Sequence, residues 1–202
     1  MANYSVMGQI QAMLHRLRRV AIRGIAVFAL VSAPLMSGSA GQDDPALAGL
    51  FKLLRTSTEG IQAQILQNQI WVIWHQHDDP DVSRLMDRGI RAMHEADYPV
   101  ALAAFDAVTE LDDQFAEGWN KRATLYYLMG DYDRSVLDIQ KTLELEPRHF
   151  GALSGLGLIN MALDRKDAAI AAFEQTIAVN PHATGARQNI EMLREAQKRE
   201  RI

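Results

Sequence analysis

A step of 34 residues recurs along the second half of the chain, and it constrains the fold more firmly than any other feature. Pro147 and Pro181 stand one step apart, and the segments ahead of them read LELEP and IAVNP; one step earlier TELDD closes at Asp113. Other columns keep the same spacing: Phe105, Ile139 and Phe173; Ala101, Ser135 and Ala169; Leu85, Trp119 and Leu153; Gly89, Ala123 and Gly157. Tyr98 and Tyr132 agree, and Lys166 departs. Within one step Trp119, Ala123 and Tyr126 share a helical face, Gly130-Asp131 interrupts, Val136, Ile139 and Leu143 make a second face, and Pro147 ends it. That is helix, turn, helix, stop. Such a hairpin has two apolar faces and buries only one by itself, so neighbouring hairpins must stack.

The stretch AEGWNKRATLYYLMGDYDRSVLDIQKTLELEP, residues 116–147, combines Trp119, small Ala123, Tyr126, Gly130-Asp131-Tyr132, small Ser135, large apolar Ile139 and closing Pro147. In this set the chain resembles the tetratricopeptide repeat family. The resemblance covers 82–183 as three units, 82–115, 116–149 and 150–183. It implies an all-α fold, a right-handed α-solenoid of three helix hairpins. Arg88 and Arg122 stand where the family more often has Leu, as at Leu156, and Thr142 and Thr176 where it more often has Ala. Residues 184–202 place Ala186, Ile190 and Leu193 on one face among polar neighbours, as expected of a C-terminal cap helix. Upstream, Leu47, Leu50, Phe51 and Leu54 mark one amphipathic helix and Leu66, Ile70, Ile73 and Trp74 another, followed by the polar HQHDDPD. Residues 45–81 are read as a degenerate N-terminal helical hairpin and linker, expected to cover the first repeat.

The first forty residues have a different character. Arg16, Arg18, Arg19 and Arg23 precede the uncharged run GIAVFALVSAPLM, and small Gly38 and Ala40 follow. That order predicts a secretory signal peptide over 1–40 and a periplasmic or secreted protein. The run is short for a membrane span and Pro34 interrupts it; an uncleaved N-terminal anchor is the alternative. Removing those four arginines leaves 17 basic and 25 acidic residues in 41–202, a net of −8. An acidic body repels phosphates, so neither nucleic acid nor an anionic membrane is expected as a partner. The chain has no cysteine, which excludes disulfides, thiolate metal sites and thiol nucleophiles.

No catalytic constellation emerges, and neither a cofactor nor a metal is expected. His75 and His77 with Asp78 and Asp79 could suggest a metal site, but further ligands and their supports are lacking, and a solvated linker is the simpler reading. His94-Glu95 lacks the second His of a zinc protease helix, and no G-x-S-x-G elbow occurs. His149 and His182 each follow a loop proline at the same point in successive repeats and mark inter-repeat turns. The carboxylates are numerous but are expected on solvent faces, so pairing them as acid and base is arbitrary. Gly151, Gly155 and Gly157 lack the spacing and the Lys of a phosphate loop. Gly157 holds a small-residue position between helices, and Gly155 beside Ser154 is expected to leave a bare strip toward a groove.

The resemblance also implies a concave groove lined by the first helix of each unit. Its positions fall here on Met86, Ile90, Met93 and His94, on Asn120, Thr124, Tyr127 and Leu128, and on Ser154, Leu158 and Met161. Asn120 and Lys121 lie near positions that grip a carboxylate in some members, but the basic residues of the other units are missing there. The expected function is therefore non-enzymatic: an adaptor of the bacterial cell envelope that binds a peptide or helix in an apolar groove. The alternatives are a self-associating homo-oligomer whose groove is filled by its own chain, and, more remotely, a metal-dependent enzyme.

Overall fold

The computed structural model describes residues 41–200, and these fall within one compact unit. The expected signal peptide lies outside the described residues. A short 3-10 turn at Gly41–Asp43 precedes nine α-helices among the described residues: α1 Ala46–Thr56, α2 Gly60–His75, α3 Pro80–His94, α4 Tyr98–Leu111, α5 Ala116–Leu128, α6 Tyr132–Leu145, α7 Phe150–Ala162, α8 Lys166–Val179 and α9 Thr184–Glu200. Helices α3 to α8 form three consecutive hairpins, a solenoid in which each second helix also packs on the first helix of the next hairpin.

The turn inside each hairpin is built the same way three times. Ala96, Gly130 and Asp164, spaced by 34, take the left-handed conformation, with φ of 59°, 77° and 53°. The next amide, of Asp97, Asp131 or Arg165, then reaches back to the carbonyl of Ala92, Tyr126 or Asn160 at 2.8, 2.9 and 2.8 Å. This bond stops the first helix. Only Gly130 takes that conformation without a steric cost. Asp97 and Asp131 cap the following helices by accepting from the amides of Val100 and Arg134.

Close packing within a hairpin follows a size rule. A Cβ added to Gly89 would sit 2.4 Å from the Phe105 ring, and one added to Gly157 would sit 2.5 Å from the Phe173 ring. In the middle hairpin the same two columns hold Ala123 and Ile139, both buried in one cluster. Phe demands glycine opposite; the smaller Ile leaves room for a methyl group.

Arg122 accounts for a departure noted in the sequence. Its guanidinium forks onto Asp138 at 2.7 and 2.9 Å and reaches Asp106 at 2.8 Å and the Thr109 hydroxyl at 2.9 Å. It also lies 4.7 Å from the centre of the Trp119 ring. One cation thus ties the first two hairpins together. Burial alone would lower its pKa, but the bonds and charge of Asp138 and the bond to Asp106 outweigh that and raise it.

At the C-terminal end α9 buries Ala186, Ile190 and Leu193 against the last hairpin, with Ala169 and Phe173 in the same cluster. Arg194 bridges to Glu174 at 2.7 Å, and Lys166 pairs with Glu200.

The N-terminal hairpin is not placed as the sequence suggests. Instead of covering the first repeat, its core residues Phe51, Leu54, Leu66, Ile70 and Trp74 cluster with Phe150 of the third repeat, with Val179 packed alongside. Helix α2 and the residues after it run like a strap along the edge where the inter-repeat turns lie. Gln67 accepts from Asn180, Trp71 and Trp74 meet His149, and His77 meets Asp112. Sequence periodicity reports that a helix has an apolar face but not which neighbour it seeks.

Candidate functional site: the first-helix face and the strap across it

Successive first helices, α3 with α5 and α5 with α7, touch one another directly as well as through the second helices between them. The strap lies at the beginning of these helices. Trp71 packs on Gly151, where a Cβ would stand 2.5 Å from the indole ring, so only glycine admits the strap here. His75 and Trp71 flank the start of α5, where Glu117 is 1% exposed.

Glu117 organises this region. One carboxylate oxygen lies 3.0 Å from His75 Nε2 and 3.1 Å from Lys121 Nζ. The other accepts from the Asn120 amide at 2.9 Å and lies 2.9 Å from His149 Nε2. His149 is fully buried, stacked 4.1 Å from Trp74, and its Nδ1 accepts from the Ala152 amide to cap α7. With Nδ1 accepting, Nε2 carries the hydrogen and donates to Glu117. Burial alone would raise the Glu117 pKa. Lys121, the His149 hydrogen bond and the nearby rings of His149 and His75 outweigh it and lower it from 4.5 to about 2. Glu117 is therefore an anion at neutral pH, held between three helices.

Each inter-repeat turn repeats a smaller device. Asp112, Glu146 and Asn180, one step apart, accept from the amides of Gln114, Arg148 and His182 at 2.8, 2.9 and 3.1 Å. The strap adds His77 to Asp112 at 2.8 Å, while Gln67 accepts from Asn180 at 3.0 Å.

The expected groove residues separate into two sets. Met86 is 2% exposed within the first-repeat core and Asn120 is 6% exposed and bonded to Glu117, so neither side chain is free to line a groove. Thr124 is exposed, and Ile90, Met93, Tyr127, Ser154, Leu158 and Met161 are half-buried. Ile90 and Met93 rest on the first-repeat core, and Leu158 and Met161 on the cluster containing α9. Tyr127 leans on Tyr132, with ring centres 5.8 Å apart. His94 and Leu128 are exposed at the far end.

Other expectations resolve in the same geometry. His75 and His77 diverge, toward Glu117 and Asp112, and His77 Nδ1 accepts from the Asp79 amide. Among the described residues no three His, Asp or Glu side chains converge as a metal site. Gly155 does not face the groove: its Cβ would meet Ile139 at 3.4 Å, against the preceding hairpin. Not all carboxylates are at the surface, since Glu117, Asp138 and Glu146 are buried. Sequence spacing does not disclose the Glu117 cluster, because its members come from three segments. The signal present was a Glu in a column otherwise holding Ser83, Gly151 and Gly185.

A sequence model described as tetratricopeptide repeat matches residues 86–139 and 120–184. A TPR repeat-containing protein of Rhizobium etli is 34% identical over 146 residues, 72% of each chain. The small glutamine-rich tetratricopeptide repeat-containing protein 2 of Mycosarcoma maydis is 26% identical over 106 residues, 51% of this chain and 30% of that one. Among solved structures, the first TPR of Spaghetti (RPAP3), bound to an HSP90 peptide, superposes with a TM-score of 0.57 at 17% identity, covering 60% of this chain and 96% of that one. MamA superposes with 0.54 at 21% identity, covering 75% and 81%.

Proposed function

Because the chain belongs to the tetratricopeptide repeat family, we propose that it is a non-catalytic protein-interaction module that holds a peptide or helix of a partner protein on its first-helix face. The observation that carries this is the row left accessible between the strap and the far turns: Ile90, Met93, Thr124, Tyr127, Ser154, Leu158 and Met161. These side chains are apolar or hydroxylic, so the partner is held by burial of apolar surface with a few hydroxyl contacts. The structurally similar TPR of Spaghetti is bound to a peptide of an HSP90. Capture of a terminal carboxylate is not the mode proposed here, because Asn120 and Lys121 already hold the chain's own Glu117. We further propose that residues 1–40 export the chain and that the partner belongs to the cell envelope.

The test is a cross-linked pull-down from envelope extract, comparing the native chain with Met93→Glu/Tyr127→Glu. Both sites are half-buried, and circular dichroism verifies that helical content is retained. Loss of one discrete partner in the variant supports the reading; unchanged capture rejects it. N-terminal sequencing of the mature protein tests export, and an intact N-terminus in the cytosolic fraction rejects that part.

A further inference from the structure

Helix α2 is apolar on two sides. Ala63, Leu66, Ile70, Ile73 and Trp74 are buried against α1 and the third repeat. On another side Ile61, Ile65 and Val72 remain 79%, 54% and 58% exposed, with exposed Asn68 among them. A surface helix ordinarily turns a polar stripe to water, so a second apolar stripe, here flanked by Gln64 and Gln69, points to a second neighbour. Nor does α2 have the charge expected of a solvated face. Gly60–His75 contains no Asp, Glu, Lys or Arg, and His75, its one titratable side chain, is turned to Glu117.

The exposed residues have a particular spacing. Ile61, Ile65, Asn68 and Val72 are separated by four, three and four positions, the interval of a two-helix seam. That interval reads the same in both directions, as a two-fold contact requires of a surface that meets itself. In an antiparallel pair Ile61 of one copy meets Val72 of the other, and Ile65 meets Asn68. The Asn68 amide is already steadied by Gln64, which donates to it at 3.0 Å. Charge permits the same occupant at this face and opposes it elsewhere. Residues 41–202 carry a net of −8, so two copies repel wherever their acidic surfaces face each other. An uncharged helix is a face on which two such bodies can touch without a like-charge contact.

We propose that Ile61, Ile65, Asn68 and Val72 form the seam of a homodimer in which α2 packs antiparallel on α2 of a second copy. The proposal is independent of what the first-helix face binds. It is tested by sedimentation equilibrium and light scattering on protein produced from the full-length chain, across about the micromolar to sub-millimolar range. The expected result is a monomer–dimer equilibrium that tightens as salt screens the acidic repulsion. Ile65→Glu and Val72→Glu should each weaken it at least about tenfold, whereas Leu137→Glu, at a 63% exposed residue on α6, should not change it. Retained helical circular dichroism and a cooperative unfolding transition verify the fold, and Ile61→Gln/Val72→Gln replaces any variant that fails this check. A monomer throughout the range overturns the proposal, as does a dimer that survives the seam substitutions.

Discussion

Glu117→Gln removes one charge and keeps the shape of the side chain, so it isolates what the buried carboxylate does. In the native fold that carboxylate faces Lys121, His75, His149 and Asn120, and its pKa is held at about 2 instead of 4.5. The difference corresponds to about 3 kcal/mol of stability. The sign follows from the lowered pKa: the contribution is complete above pH 4.5 and is lost as pH falls from there toward 2. Urea unfolding followed by circular dichroism should therefore find Glu117→Gln about 3 kcal/mol less stable than the native chain at pH 7, with the gap shrinking to about 1 kcal/mol at pH 3. Subtracting the variant cancels the titration of the other carboxylates. Trp71 and Trp74 sit in the strap beside this cluster, so their fluorescence reports whether the strap leaves first. A gap that stays constant from pH 7 to 3, or no gap at pH 7, refutes the reasoning.

Other consequences are local. Gly157→Ala should destabilise by about 1–3 kcal/mol through the clash with Phe173, and adding Phe173→Ile, the pairing of the middle hairpin, should recover much of that in a denaturation cycle. Ala96→Gly should raise stability by about 0.5–1 kcal/mol, because Ala96 sits at φ 59° where Gly130 sits in the next repeat. Gly155→Ala should be tolerated and raise the thermal midpoint, since the added methyl meets only Ile139 at 3.4 Å and the helix gains about 1 kcal/mol of propensity.

The repeat region was legible because each unit answers the same packing problem with the same columns. Trp119, Ala123 and Ile139 announce a hairpin through spacing alone, and Gly130 announces its turn. Ala96 and Asp164 do not, since their backbone is forced by the neighbouring hydrogen bonds and not by their own preference. The helices of 46–75 were legible as amphipathic, but their destination was not. Docking of Trp71 depends on the absence of a side chain at Gly151, eighty residues later, and such complementarity leaves no periodic trace. Two of the expected groove positions fail for the same reason. Met86 and Asn120 occupy first-helix positions, yet one is drawn into the core and the other onto Glu117. Arg122 is an irregularity in the repeat columns because its partners, Asp106 and Asp138, lie 16 residues away on either side.

The central claim is that the first-helix face holds the peptide or helix of a partner protein. The most direct measurement places a photo-activatable residue at Tyr127 or Leu158, both half-buried on that face, or at exposed Leu137 on α6, and irradiates cells producing the full-length chain. The account predicts one cross-linked product of discrete mass from Tyr127 and Leu158, absent from Leu137 and abolished by Met93→Glu. The same product from Leu137, or none from either face position, would contradict it.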